Sequence, residues 1–479
     1  MVGAWAGTPL FAEGLLAALI LLIVVLDTLF WPRRPSANLG YLTLCGLLVV
    51  LSAALQEWAY GANGTAFHDL VFLDAYATFF DILVLAIALC TLLLAIGGIE
   101  GERVRGEFYP LLLISVLGIM LTASAADLLV VYLGLEMVFL PLWALTMLGH
   151  RRGAGVEAGV KFLILGLFGS GLVLFATALL YGAAGDTGLQ LLVESLSSPV
   201  VDDKLVVPAV VLLLAGLLLK LGAAPLHAWS PDVRQGSPLA VSAFVAAAVP
   251  VAGFAALGRV LFYVLLPVED LWMPLLEAAA VLSLVYGSLL ALNQRNIRRL
   301  LAYVGVAQVG VALLGLLAVN ETGLVGVLFG AIAAALALAG CYAIMAMCGP
   351  ESPDLRDYRG LGRQQPLLAL GFAFCLASLA GLPPTAGFVG RFYVLTAAME
   401  SGRFALGFMA AGCFPLLVYA CLRVIVSVFT HPPIADPPKV QMRAEALVVL
   451  MLSVLGTLSL GLLPETILRV ARETVVAVM

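Results

Sequence analysis

The chain has 479 residues, of which 63% are hydrophobic and only 11% charged, with a mean hydropathy of +1.11. No water-soluble domain of this length carries such a composition, so the chain reads as a polytopic membrane protein. Its formal net charge of −5 sums two membrane faces with different balances, which says little about partners and gives nucleic-acid binding no support.

Crossing a hydrocarbon core of about 30 Å takes about 20 apolar residues. Such stretches recur fourteen times, starting near residues 10, 38, 71, 108, 127, 159, 205, 238, 271, 299, 322, 366, 404 and 444. The expected fold is all-α, with about 14 transmembrane helices. The first stretch is longer than a secretory h-region and no small-residue cleavage site follows it, so it reads as a retained span. Lys and Arg accumulate on the cytoplasmic side of membrane proteins. One set of loops holds Arg33, Arg34, Arg103, Arg105, Arg151, Arg152, Lys161, Arg234, Arg295, Arg298, Arg299, Arg356, Arg359, Arg363, Lys439 and Arg443, whereas the opposite set holds Lys204, Arg403, Arg469 and Arg472. This alternation places both termini outside the cytoplasm, in agreement with an even number of spans. Four cations remain inside spans: Lys220, Arg259, Arg391 and Arg423.

Along the chain, Asp27 lies late in the first span, while Asp74 and Asp81 fall seven residues apart on one face of the third. These aspartates read equally as interfacial or as paired with a partner subunit. Glu136 lies near the middle of the fifth span, in Val131-Tyr-Leu-Gly-Leu-Glu-Met. Lys161 opens the sixth just after a basic loop, which suits snorkelling to the interface and also suits a functional cation. Glycines such as Gly166, Gly169 and Gly171 are spaced for close helix packing.

The seventh span ends in Leu217-Leu-Leu-Lys-Leu-Gly-Ala-Ala-Pro-Leu-His. A lysine at mid-span costs roughly 2.5–3.5 kcal/mol on insertion scales, so Lys220 must face the bundle interior or a wet cavity. The helix then breaks at Pro225, and breaks at membrane depth survive only where protein or water satisfies the freed backbone. Glu136 and Lys220, on different spans of one bundle, can pair and tune each other's proton affinity. To release a proton near neutral pH a lysine must fall about three units from its usual value, roughly 4 kcal/mol. His227, after the break, is suited to shuttle protons or to brace the broken helix, and the residues alone support both. The twelfth span repeats the pattern at Gly381-Leu-Pro383-Pro384-Thr-Ala-Gly, followed by Arg391. Arginine stays protonated in proteins and is a poor proton relay. Arg259 and Arg423 lie nearer span ends and read as snorkelling side chains.

The two breaks are five spans apart, and a repeat with an odd number of helices enters the membrane inverted, as in transporters built from inverted repeats with discontinuous helices. The expected division is 1–107 for peripheral spans one to three, 108–265 for a first five-helix repeat (spans four to eight), 266–430 for a second (spans nine to thirteen) and 431–479 for span fourteen. The seven cysteines lie in or beside apolar spans, without CxxC pairs or histidine neighbours, and read as small hydrophobes. No iron–sulfur, haem, flavin, nicotinamide or phosphate-binding motif is visible.

Longer stretches carry a resemblance over most of the chain. They are Tyr132-Leu-Gly-Leu-Glu-Met with Leu140-Pro-Leu-Trp-Ala-Leu, Gly159-Val-Lys-Phe-Leu-Ile-Leu-Gly, Lys220-Leu-Gly-Ala-Ala-Pro-Leu-His-Ala-Trp-Ser-Pro-Asp-Val-Arg-Gln-Gly-Ser-Pro, Arg298-Arg-Leu-Leu-Ala-Tyr, and Leu379-Ala-Gly-Leu-Pro-Pro-Thr-Ala-Gly-Phe-Val-Gly-Arg-Phe-Tyr. In these the chain resembles the N subunits of proton-translocating NADH–quinone oxidoreductase, respiratory complex I. The resemblance implies a membrane-arm subunit of the bacterial inner membrane that couples NADH-to-quinone electron transfer to proton translocation. It implies other membrane-arm subunits and the bilayer as partners. NADH, FMN, iron–sulfur clusters and quinone would all lie in partner subunits, with no cofactor or metal in this chain. Glu136 and Lys220 match the family's proton-translocating carboxylate and lysine. Three positions depart from the family pattern: Pro250 stands where the eighth span usually carries a lysine, Gln308 replaces a histidine, and Arg391 replaces the lysine of the twelfth span. These departures predict that lysine-to-lysine transfer does not run across this subunit, leaving waters to conduct. Two further readings stay open, a structural complex I subunit with a degenerate channel, and a subunit of a multisubunit cation/proton antiporter or membrane-bound hydrogenase.

Overall fold

A computed structural model describes residues 10–30, 37–61, 63–97, 106–148, 153–198, 203–349, 354–433 and 440–477. Of the basic loop residues used above, Arg33, Arg34, Arg103, Arg105, Arg151, Arg152 and Lys439 lie outside these ranges.

The chain begins with α1 (Phe11–Phe30), α2 (Ala37–Tyr60), a hairpin of β1 (Gly64–Ala66) and β2 (Val71–Leu73), and α3 (Ala75–Gly97). Then follow α4 (Phe108–Ser124), α5 (Leu128–Leu148), α6 (Gly153–Ala184), a short α7 (Leu189–Leu196), α8 (Asp203–Leu221), α9 (Trp229–Gly236) and α10 (Leu239–Gly258), which ends in a π-turn at Arg259–Val264. The remainder is α11 (Glu269–Leu292), α12 (Ile297–Leu317), α13 (Glu321–Cys348), a one-turn α14 (Leu361–Gln364), α15 (Pro366–Ala380), α16 (Ala386–Glu400), α17 (Phe404–Thr430), α18 (Ala444–Leu462) and α19 (Glu465–Val476).

Twelve of these helices are long and apolar enough to span a bilayer, and α4 and α15 are shorter apolar helices. Counting α8 with α9, and α15 with α16, as single interrupted spans gives the expected fourteen. Apolarity makes the helices, and side chains place their ends. Asn296 accepts the backbone N–H groups of Arg298 and Arg299 to start α12, and Asn320 accepts Gly323 N–H to start α13. Arg423 donates to the carbonyls of Leu292 and Gln294, satisfying the free end of α11.

Three local features differ from the sequence expectation. The third helix starts at Ala75 rather than near 71, because residues 64–73 turn back as an antiparallel hairpin with Thr65 opposite Phe72. The short helices α7 and α19 were not expected. Each buries one apolar stripe, Leu189, Leu192 and Leu196 in α7 and Leu468, Ala471 and Val475 in α19, and neither is long enough to register as a span.

Burial ranks the helices by position. Helix α10 is 94% enclosed and α12 83%, against 28% for α18 and 33% for α1, so α10 and α12 form the centre. The two helix breaks lie beside that centre, where protein covers irregular backbone.

Candidate functional site

Helix α8 ends at Leu221, and Gly222 takes a left-handed turn (φ 73°) that suits a residue without Cβ. The freed carbonyl of Leu219 accepts the indole Nε1 of Trp229 at 2.8 Å, and the N–H of Ala224 donates to Ser283 Oγ of α11 at 2.8 Å. The break is thus closed by side chains from α9 and α11.

Lys220, in the last turn before the break, is 1% exposed. Its Nζ donates to Glu136 Oε1 of α5 at 2.9 Å and to Ser170 Oγ of α6 at 3.0 Å. Ser170 also donates to the same Glu136 oxygen and to the carbonyl of Gly166. The ammonium lies 4.2 Å from the centre of the Phe139 ring, a cation–π contact that strengthens when desolvated. Phe139, Phe162 and Trp229 form an aromatic cluster beneath it, with Phe162 and Trp229 stacked at 5.0 Å. Glu136 is 14% exposed. A fully buried lysine therefore meets a carboxylate with some access at the seam of three helices. Burying an ion costs several kcal/mol, which only a well-placed partner and further hydrogen bonds offset.

Close helix approach makes this seam. A Cβ on Gly216 would lie 2.9 Å from the Gly169 carbonyl, and one on Gly169 would lie 3.6 Å from Lys220 Cγ. Two glycines thus face each other where α6 crosses α8, one turn from Lys220.

His227 stacks toward Tyr286 of α11 at 6.1 Å and meets Tyr303 of α12 edge-on at 6.2 Å. Its Nδ1 is buried without a hydrogen-bond partner among the described residues. Lys161 is not a free snorkelling cation. It pairs with Glu157 and with Asp232 of α9, each at 2.7 Å, and Asp232 also accepts Arg299 Nη1 at 2.7 Å. Asp232 is thereby gripped between α6 and α12, which holds the second half of the broken span from both sides.

The second break has a different occupant. After α15, Gly381 turns left-handed (φ 76°). The guanidinium of Arg391, on α16, donates back to the carbonyls of Ala380 and Leu379 and lies 5.0 Å from the centre of Phe414. It is 7% exposed and forms no ion pair among the described residues. Gln308 Nε2 approaches the same Leu379 carbonyl at 3.4 Å. Arg391 is therefore spent on the end of α15. Pro250, Gln308 and Arg391 all line one cavity of about 80 Å³, walled mostly by Ala, Gly and Val. That volume admits several waters, and the arginine, glutamine and Ser378 are its main polar sides.

Two other sequence expectations change. Arg259 does not snorkel: it is 0% exposed, forms a two-pronged pair with Asp74 at 2.7 Å on each prong, and donates Nε–H to the Ala123 carbonyl at 2.8 Å. Asp74 is thus paired inside the chain, whereas Asp81 is 2% exposed with an unpartnered Oδ1. Arg423 is a helix cap, as described above.

The sequence signature of the NADH:quinone oxidoreductase/Mrp antiporter transmembrane family matches residues 125–414, which includes both breaks. NADH-quinone oxidoreductase subunit N of Trichlorobacter lovleyi is 34% identical over 458 residues, covering 94% of this chain and 93% of the relative. The chain belongs to the NADH-quinone oxidoreductase subunit N family. A chain in the structure of respiratory complex I from Thermus thermophilus with bound aureothin superposes with a TM-score of 0.81 at 33% identity, covering 96% of this chain and 99% of that one. A chain of the Mrp complex from Dietzia sp. DQ12-45-1b reaches a TM-score of 0.86 at 20% identity, covering 98% and 97%, and shares the fold.

At the Lys220 site of this subunit N chain, sequence reasoning identified the charged partner and missed the neutral ones. Ser170, Phe139, Ser283 and Trp229 complete the Lys220 site. Ser170 lies in the Gly166–Gly171 run, and a hydroxyl on a small-residue helix face was the available signal. Asp232 and Arg299 stood in quoted motifs, but their mutual contact joins residues 67 apart.

Proposed function

We propose that this subunit N chain carries protons across the membrane arm of an NADH–quinone oxidoreductase, and that Lys220 and Glu136 hold and release the proton. One observation carries this reading: a lysine sealed at a helix break, with a carboxylate at 2.9 Å as its only ionic partner among the described residues. A lysine releases a proton near neutral pH only when about 4 kcal/mol of its preference for the charged form is removed. Moving Glu136 away, or pairing it with another cation, removes stabilisation of that order in a desolvated site. Electron transfer in partner subunits would supply the displacement as a coupling free energy between sites. His227, facing Tyr286 and Tyr303, would extend the path from the break toward α11 and α12. Lys161 would act mainly by fixing Asp232 and α9.

In this reading NADH, FMN, iron–sulfur clusters and quinone belong to partner subunits, and neighbouring membrane-arm subunits cover the lipid-depth apolar faces. Membership of the subunit N family supports a bacterial inner membrane, and the alternating basic loops favour both termini on its non-cytoplasmic side. Spans four to eight (α4 to α10) and nine to thirteen (α11 to α17) form inverted repeats. The left-handed glycines Gly222 and Gly381, each ending the first half of a broken span, support that division.

A second reading is favoured by the Arg391 geometry. Its guanidinium is fixed on two carbonyls, and Pro250 and Gln308 share its cavity. In this reading the channel is degenerate and the chain serves the membrane arm as a structural subunit. NADH-driven proton uptake and quinone reduction, measured together in inverted vesicles containing assembled Lys220→Ala complex, separate the two readings. Loss of uptake and of coupled turnover supports a working channel. Unchanged rates make the chain a structural subunit.

A further inference from the structure

Among the described residues, helices α1 to α3 contribute nothing to the Lys220 site, yet they bury two carboxylates, Glu13 and Asp81, with a third, Glu57, half-buried beside them. In the first four helices, α1 packs on α2 and α4, and α3 packs on the same two, so α1 and α3 face each other diagonally across a square. Glu13, in the first turn of α1, is 6% exposed; Asp81, two turns into α3, is 2% exposed. Both lie toward the membrane face where α1 begins and α2 ends. Glu13 Oε2 and Asp81 Oδ1 have no hydrogen-bond partner among the described residues. Glu57, near the end of α2, is occupied differently, since its Oε1 accepts the Ala12 N–H at 3.0 Å at the start of α1.

The charges acting on Asp81 are Glu13 from α1, Glu57 from α2, Asp74 from the start of its own helix, and Arg259 from the π-turn after α10. Among the described residues, none of the groups named comes from α4, α13, α18 or α19, which also touch α3. Tyr76 is turned away, donating to the carbonyls of Phe254 and Ala255. Arg259 is already closed on Asp74 and the Ala123 carbonyl. Four carboxylates therefore share one cation, and that cation's donors are engaged elsewhere. Leaving an ionised carboxylate buried without donors costs several kcal/mol, and neighbouring like charges add to it. Binding a proton removes one charge and supplies the missing O–H donor.

We propose that Glu13 and Asp81 form a buried proton-binding site, a carboxyl pair that holds one proton inside the bundle of spans one to four, separate from Glu136 and Lys220. The pair is placed to take up or give up that proton at the membrane face shared by the ends of spans one and two. The proposal does not depend on Lys220 being the translocating residue.

Infrared spectra of the purified, lipid-reconstituted complex test it at neutral pH, in H₂O and D₂O, with and without sodium chloride. The expected result is a protonated-carboxyl C=O band that shifts in D₂O, survives sodium, persists in Lys220→Ala and is lost in the double variant Asp81→Asn/Glu13→Gln. A spectrum unchanged by the double variant overturns the proposal. A band abolished by sodium also overturns it, making the pair a cation site. Should the double variant not assemble, labelling of the wild-type complex with a hydrophobic carbodiimide decides, because the reagent adds to protonated buried carboxyls. Peptide mapping is expected to find the adduct on Glu13 or Asp81, and labelling of neither overturns the proposal.

Discussion

A lysine with 1% exposure persists at the break because a carboxylate, a hydroxyl and an aromatic face all converge on its ammonium. The two members of the pair are not equally replaceable. Removing Glu136 strands a fully buried cation, whereas removing Lys220 leaves a carboxylate that is 14% exposed and still bonded to Ser170. Glu136→Ala should therefore destabilise the assembled complex by about 3–5 kcal/mol, the range for breaking a buried pair, and Lys220→Met by clearly less. Thermal unfolding of the two purified variants checks the order, and equal losses would mean the pair is not sealed. Arg391 serves its break in a different way. Its planar fork reaches two carbonyls at once, which an ammonium on a flexible stem does not reproduce. Arg391→Met is expected to loosen the end of α15 by about 1.5–3 kcal/mol, the usual worth of hydrogen bonds to a charged group, without changing protons moved per electron pair. If Arg391→Met assembles normally, stops pumping, and Arg391→Lys restores it, the cap reading fails and Arg391 is a relay.

Elements set these distances through their crossings. The approach of α6 to α8 depends on Gly169 and Gly216, since a Cβ on Gly216 would meet the Gly169 carbonyl at 2.9 Å and Val173 Cγ2 at 2.6 Å. Gly216→Ala is expected to cost about 1–3 kcal/mol by overpacking and to slow proton uptake by displacing Lys220. Gly171→Ala, two residues from Gly169 with open space around it, should be neutral or stabilising by about 0.5–1 kcal/mol, as for an unhindered helical glycine. Melting points and vesicle pumping of the pair give the comparison, and identical behaviour would mean that the crossing does not position Lys220. Apolar run length made the spans legible in the sequence, and Pro225, Pro383 and Pro384 marked both interruptions. The hairpin before α3 and the short helices α7 and α19 were not legible. None is long enough to carry a hydropathy signal, and the two helices gain order from the apolar stripe each lays on the bundle.

Across the whole molecule, the pattern of what could be read follows the range of the interactions. Lys220 was legible because a charge in an apolar run is conspicuous on its own, and its match to Glu136 needed only one span order. The roles of Arg259 and Asp74 were not, because the pair joins residues 185 apart and nothing near either one announces the other. That pair has a structural consequence at this scale: it ties the entry of α3, in the first group of spans, to the end of the central α10. Breaking it from one side, Asp74→Leu, leaves Arg259 buried against the Phe72 and Tyr76 rings with the Ala123 carbonyl as its one remaining hydrogen-bond acceptor among the described residues, and should cost about 3–5 kcal/mol. Replacing both partners removes the stranded charge, so Asp74→Leu/Arg259→Met should recover most of that loss, as apolar substitution of buried pairs often does. The double-mutant cycle on the assembled complex, read as thermal midpoint and as the fraction of complex intact on native gels, measures the coupling directly. A strongly favourable coupling with the double variant near wild type means that the pair fastens spans one to three to the centre chiefly by excluding the unpaired alternatives. If the double variant instead falls as far as Asp74→Leu, the Ala123 carbonyl left bare by Arg259 accounts for more of the loss, and the guanidinium holds the two regions together through the backbone of α4 more than through Asp74.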